Sequence, residues 1–424
     1  MSVLSNKRSY KTNLLISLLI PSLLFVATKT SAQNIATWDQ LIQQTKSNHP
    51  RLQSGRSNRS RAAHQSEQAT ESFWLPKVSA GASVGRTFET SLPVTRTTNQ
   101  LSVEARQNLF SGFKDQASKN TAELKESIES EKLKLIEAQL LKELRQTFER
   151  LLYFKQAIKI ANVAYTRLQQ NVRIVSLRYD GGRENKSSLI KTEASALESK
   201  TYLDSLSTRE SIEIERMRIM CQCQVDVSVL VDSDKAQLSD LNTSFDPNLH
   251  PEYKSLELQT KIASTELKGA RGNWWPTVDA VVSATKRGQD LTVNKDTIYQ
   301  GSLQLNVPIF TPGQSRSVDA AIENLVSNQV DLAHKRDLLK LAFLSAKSDF
   351  EIAKQRVLVN KKVAEASTLQ AEVYRQRYTL GMVSFQDWDA SEGELIRAER
   401  LSLDTDLELK LAQTNLKFAR ADAY

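Results

Sequence analysis

Few side chains in this 424-residue sequence are of types that do catalytic or metal chemistry. The four histidines, His49, His64, His250 and His334, are dispersed. His49 and His250 each precede a proline, a place for a residue that starts a helix. No Ser, His and Asp stand in a hydrolase signature, and no glycine-rich phosphate loop is found. The two cysteines form one motif, Cys221-Gln222-Cys223. Along a regular helix that spacing points the sulfurs apart, so no relaxed disulfide is expected. A metal pair there would lack further ligands. The sequence therefore assigns no catalytic residue, no cofactor and no metal, and reads as a non-enzyme. The residues that stand out are glycines, Gly181, Gly182 and Gly381, each at the end of a long uninterrupted run.

Composition says what kind of element those glycines end. The chain holds 13 Gly and 9 Pro, against about 50 expected at average usage. Charged residues at 25% and apolar residues at 40% exclude a disordered chain and a polytopic helical membrane protein. After Gly112 there is no Gly or Pro for 68 residues, and after Gly313 none for 67. As helices these runs would each be roughly 100 Å long. In the first, Leu144, Phe148, Leu151, Ile158, Ala161, Tyr165, Leu168, Val172, Val175 and Tyr179 follow steps of three and four that nearly alternate, with Lys155 the one break in the apolar series. That is a narrow coiled-coil seam. In the second, Phe343, Phe350, Val357, Ala364, Ala371 and Tyr378 share one phase. A second helix returns from each glycine turn, from Arg183 to about 230 and from Met382 to the C-terminus.

The chain also repeats itself. His49-Pro50 recurs as His250-Pro251, and Trp74-Leu75-Pro76 as Trp274-Trp275-Pro276. Leu109-Phe110-Ser111-Gly112 recurs as Ile309-Phe310-Thr311-Pro312-Gly313, and Arg178-Tyr179-Asp180-Gly181-Gly182 as Arg377-Tyr378-Thr379-Leu380-Gly381. The offsets are 201, 200, 200 and 199 residues, which indicates a duplicated domain. Residues 1–32 read as a secretory signal. Lys7, Arg8 and Lys11 precede an apolar stretch from Leu14 to Ala27, and Thr30-Ser31-Ala32 supplies small residues for cleavage. The repeats are expected at 33–240 and 241–424. The net charge of +8 is spread along the chain, with no run that suggests nucleic acid.

Each repeat carries two strand-like segments before its long helix. Val78, Ala80, Ala82, Val84 and Phe88 alternate with small or polar residues. So do Leu101, Val103 and Ala105, then Val278, Ala280, Val282 and Ala284, and Leu303, Leu305, Val307 and Ile309. Polar loops are expected near 88–98 and 287–297. Such alternation is a weak signature of transmembrane β-barrel strands, and Trp74, Trp274 and Trp275 sit where an interfacial girdle would. Four strands cannot close a barrel, for which about eight is the minimum. Two copies would supply eight strands and three would supply twelve, and the sequence leaves both open.

With these landmarks in this order, essentially the whole mature chain resembles the TolC family of outer-membrane channel proteins. The resemblance implies a mainly α fold with a small β part and an internal two-fold repeat. Long antiparallel coiled-coil hairpins would form an α-barrel through the periplasm. Four strands per chain would join a shared 12-stranded transmembrane β-barrel of a homotrimer in outer-membrane lipid. It implies a passive exit duct of a tripartite export system, served by an inner-membrane transporter of ABC or RND type through a periplasmic adaptor (membrane fusion) protein. Small-molecule efflux is the leading expectation, type I protein secretion the alternative, and a periplasmic coiled-coil scaffold without a pore the third reading. The energy source must be a partner.

The resemblance also nominates residues. Tyr179, Gly181, Gly182, Arg183, Tyr378 and Gly381 lie at the periplasmic tips, where the family meets its adaptor. Asp387 aligns with the first carboxylate of the family's entrance, where three copies would form a ring that favours cations. The family's second entrance carboxylate aligns with Ala390, while Asp389 is offset by one residue. Ser188 occupies the first-repeat position equivalent to Asp387. The family's charge lock is therefore not intact, and the tip is expected either to open more easily or to close by other contacts involving Arg183, Glu184 and Lys186.

Overall fold

The computed structural model describes residues 38–89, 94–223, 245–289 and 297–421. The signal, the strand connections at 90–93 and 290–296 and the 240/241 boundary lie outside the described residues, whereas the return helix expected to reach about 230 ends at Cys221.

The glycine-free runs are two very long helices, α3 (Lys114–Asp180) and α6 (Gln314–Thr379). They have 67 and 66 residues. Each starts just after a glycine in the left-handed region, Gly112 at φ 68° and Gly313 at φ 82°. A Cβ at Gly112 would collide with the Gly272 carbonyl, so the start of α3 can press on Gly272 only without a side chain. Returning helices α4 (Lys186–Cys221) and α7 (Phe385–Ala419) pack back on α3 and α6. The shorter helices α2 (Pro50–Trp74) and α5 (Pro251–Gly272) flank the upper part of α3. They begin at the two His-Pro pairs. The Nδ1 of His49 accepts from Arg51 N at 3.1 Å, and that of His250 from Glu252 N at 3.3 Å. Burial lowers both pKa values, which keeps the rings neutral and able to accept. A helix the sequence reading did not anticipate, α1 (Trp38–Asn48), buries Trp38 and Leu41 against Leu144, Phe148 and Met217.

The expected strands form one antiparallel sheet in the order β1 (Lys77–Glu89), β2 (Val94–Phe110), β3 (Thr277–Gln289), β4 (Thr297–Asn306). They run further than the alternation suggested, taking in residues read as loop at 88–89, 94–98 and 287–289. The register aligns the alternations. Val78 faces Ala105, Ala80 faces Val103, Val103 faces Ala284, Ala105 faces Val282, and Ala280 faces Leu303. One face is therefore apolar across all four strands, while Ser79, Ser102, Thr285 and their neighbours line the other. The apolar face is bare: Val78, Val84, Val282 and Leu303 are all exposed. Trp74, Trp274 and Trp275 are exposed beside it. Strands β1 and β4 are edges without a second strand partner among the described residues.

The cysteine motif corrects an expectation. Cys221 and Cys223 form a disulfide with Cα atoms 5.1 Å apart. The regular helix assumed in the sequence reading ends at Cys221, and Gln222 turns left-handed at φ 52°, ψ 39°, which swings Cys223 back.

Candidate functional site

The turns at the far ends of the two hairpins have the same construction. Gly182 at φ 67° and Gly381 at φ 77° take the left-handed position. Arg183 N donates to Arg178 O at 2.8 Å, and Met382 N to Arg377 O at 2.8 Å. These are the long bonds of a helix-terminating Schellman turn, which favours glycine. Gly181 sits at φ −82° and needs no such freedom. The return helices are capped by side chains. Asn185 accepts from Ser188 N at 2.8 Å, and Ser384 Oγ from Asp387 N at 3.1 Å.

Between the turns the chain builds a polar and aromatic lock. Arg178 of α3 donates to the Tyr378 carbonyl at 2.6 Å and lies 4.5 Å from the centre of its ring. The Tyr378 hydroxyl donates to Glu184 Oε2 at 2.9 Å. Its ring stacks on Trp388 at 4.3 Å, and Phe385 and Val175 complete the cluster. Lys191 of α4 pairs with Asp389 of α7 at 2.8 Å. Burial is the largest single influence on Glu184 and raises it. Hydrogen bonds from Tyr378, the Asn185 backbone and Ser188, with Arg178 nearby, together outweigh burial and leave its pKa lowered. Burial first, then Glu184, pushes the Tyr378 phenol up.

Above this lock lies a second polar group, inside the protein. Glu392 of α7 is 4% exposed. Its Oε2 is 3.3 Å from Arg167 Nε of α3, and its Oε1 is 3.8 Å from Arg375 Nε of α6. Arg167 also reaches Glu399 at 3.2 Å, and Arg375 donates to Asn171 Oδ1 at 3.2 Å. Burial raises the Glu392 pKa more than the two guanidiniums lower it.

The nominated residues fall into two groups. Tyr179, Gly181, Gly182, Arg183 and Gly381 are exposed at the tips. Tyr378, nominated for docking, is 1% exposed and holds the two hairpins together from within. Its phase in the apolar series of α6, seven residues after Ala371, is the reason. Asp387 is exposed in the first turn of α7. Ser188 is buried under the cap of α4, and Asp389 is neutralised by Lys191. Sequence reasoning missed Arg178, Lys191 and Trp388, and all of the Arg167, Arg375 and Glu392 group. One signal was available: Phe385, Trp388, Glu392 and Leu395 are spaced as an apolar seam, and Glu392 puts a charge in it. Among the described residues no group of His, Cys, Asp or Glu could hold a metal, and no helix is long and apolar enough to cross a membrane.

Comparison with known proteins follows the same geometry. Residues 248–421 match the family model described as outer membrane efflux protein. That match lies in the second half of the chain. The structure superposes on CusC with a TM-score of 0.83 at 14% identity, covering 91% of this chain and 92% of the other. For VceC of Vibrio cholerae, an outer membrane protein, the TM-score is 0.78 at 12% identity, with 91% and 96% covered. For the MtrE outer membrane channel of Neisseria gonorrhoeae it is 0.76 at 15% identity, with 90% and 88% covered. At these identities the likeness establishes the fold. No curated protein matches the sequence. The efflux family is one of outer-membrane proteins, so the resemblance and the location read from the sequence hold, as does a mainly helical chain with a small strand part.

Proposed function

We propose that this efflux-family protein is a passive duct. Three copies would pool their strands into one 12-stranded outer-membrane barrel and extend their hairpins as a helical tube through the periplasm. The observation that carries this reading is the four-stranded sheet, with a continuous bare apolar face and two free edges. In lipid each unsatisfied backbone group costs several kcal/mol. Four strands are also too few to close a barrel, so copies must combine. The strands have 10 to 17 residues, enough for the about 9–11 of a tilted span. Two further features support a shared wall. Helix α6 leaves Val330, Leu341, Leu344, Leu358 and Leu369 exposed along its length. A groove among α2, α3, α5 and α6 is lined by polar side chains such as Arg61, Lys125, Gln259, Glu266 and Asn324.

In this reading the exposed tips, with Tyr179, Arg183, Leu380 and Met382, meet a periplasmic adaptor, and an inner-membrane transporter supplies the energy. Gly181, Gly182 and Gly381 shape those tips, and three Asp387 carboxylates would surround the entrance. Cargo is expected to be small molecules. The two repeats, 33–240 and 241–424, would give each copy two equivalent hairpins.

The test is the mass of the protein extracted from purified outer membranes in mild detergent, followed by conductance in planar bilayers. A conducting trimer is expected. A soluble periplasmic monomer or dimer would overturn the reading and favour a helical scaffold. Deleting the gene separates the cargo classes. Raised sensitivity to small toxic compounds fits efflux, whereas loss of one secreted polypeptide would point to protein secretion.

A further inference from the structure

Read for histidines and carboxylates, the chain offers its two cysteines no further metal ligand; read for sulfur, it does. The chain has two cysteines and four methionines. Four of these six fall within seven residues: Met217, Met220, Cys221 and Cys223. The first three lie at i, i+3 and i+4 on one face of α4. The left-handed Gln222 then brings Cys223 back beside Cys221. All four side chains belong to one cluster with Trp38 and Leu41 of α1 and Leu144 and Phe148 of α3. Met217 and Cys221 are wholly buried, whereas Met220 and Cys223 are half-buried, so the group is open to solvent on one side. Met220 Sδ is turned inward, 3.7 Å from Thr147 Oγ1 of α3.

We propose that, once the disulfide is reduced, these four sulfurs form a site for one soft monovalent cation of the copper(I) or silver(I) kind. Two thiolates and two thioethers, with no carboxylate or imidazole among them, are a soft donor set of the type that selects copper(I). Methionine in a core is ordinarily a gap-filler, a job that leucine does in the rest of this cluster. Two thioethers set beside both cysteines of the chain go beyond filling. Loading takes two steps. A dithiol gives two electrons and two protons to the Cys221–Cys223 bond and is itself oxidised to a disulfide. The cation then displaces the two thiol protons. Until it does, the thiols lie in apolar surroundings at the C-terminal end of a helix, and both conditions keep them protonated and unreactive. Two thiolates on a monovalent cation leave one negative charge. Arg145, 4.9 Å from the ring centre of Trp38, and Lys410 share the one carboxylate of Glu149, so positive charge is in excess among these three groups. Disulfide and metal exclude each other, and each staples the end of α4 at the same place. The site lies within one chain and does not depend on the duct reading.

The test uses silver(I), which keeps one oxidation state, as the probe. The full chain in mild detergent is reduced with a dithiol, freed of it without air and titrated. The reduced chain is expected to bind one silver ion with release of two protons, so that binding tightens as pH rises. The oxidised chain is expected to bind manyfold more weakly. Met217→Leu with Met220→Leu conserves core volume and is expected to weaken binding severalfold. Cys221→Ala with Cys223→Ser is expected to abolish it. X-ray absorption at the silver edge needs no variant, and is expected to show a shell of sulfur alone, with more than two neighbours. Equal binding by the oxidised chain, a shell of only two sulfurs, or full affinity without the methionines would overturn the site. So would silver retained without the cysteines, or a disulfide that the dithiol leaves intact in the folded chain.

Discussion

The two long helices are nearly equal in length but differ in what surrounds them. Helix α3 is wrapped by α2, α4, α5 and α7. Six of the ten residues read as its seam are buried: Leu144, Phe148, Leu151, Ala161, Leu168 and Val175. Helix α6 touches mainly α7 and α5. Its heptad line from Phe343 to Tyr378 is covered, but the apolar residues off that line, Leu341, Leu344, Leu358 and Val359 among them, face outward. Repetition of a sequence pattern therefore does not repeat an environment. One helix is complete within the chain, and the other has an apolar side waiting for another surface.

Substitutions can break that contrast. The largest effect is expected at Phe148, wholly buried against Trp38 and α4. Phe148→Ala should cost about 3–5 kcal/mol, read as a lowered denaturation midpoint of the purified protein. A loss as small as that of a surface change would mean that α3 is not the interior helix. On α6, Leu344→Asp should alter the stability of the single chain by no more than about 0.5 kcal/mol. It should nevertheless abolish the trimer, seen as a drop in mass in mild detergent. A trimer that survives Leu344→Asp together with Leu358→Asp would show that another face carries the assembly.

The smallest expected effect concerns acid and alkali at the meeting of the hairpins. Glu184 has its pKa lowered from 4.5 in the folded protein. Its contribution is present above that ordinary value and is lost as pH falls through the lowered one. Glu392 has its pKa raised from 4.5. Its contribution is full below the ordinary value and declines as pH rises through the raised one. Unfolding of Glu184→Gln should lose dependence on the acid side, and that of Glu392→Gln on the side above about pH 4.5. The same pH profile in both variants would erase the distinction between the half-buried Glu184 and the buried Glu392.

Much of the architecture was legible because it depends on local chemistry. Runs without Gly or Pro have no way to stop a helix, so the bounds of α3 and α6 fell at Gly112, Gly181, Gly313 and Gly381. Period-two alternation marked the four strands, and histidine before proline marked the starts of α2 and α5. The site was legible only in outline. The glycine turns could be placed, since a left-handed residue is a property of one position. The burial of Tyr378 and the charge of Glu392 within a seam were signals available in the series but overlooked there. The disulfide was missed because one left-handed residue, Gln222, replaced an assumed turn of helix.

By itself the sequence determined the lengths of the two long helices, the alternation of the strands and the places where the chain reverses, because backbone sterics and hydrophobic periodicity act over a few residues. Only the tertiary structure decided which strand meets which, as when Val103 meets Ala284. It alone set Arg167 beside Glu392, and it turned Tyr378 inward and left the side of α6 bare. Those outcomes depend on which surfaces of distant segments come together to exclude water, and no local pattern encodes the partner.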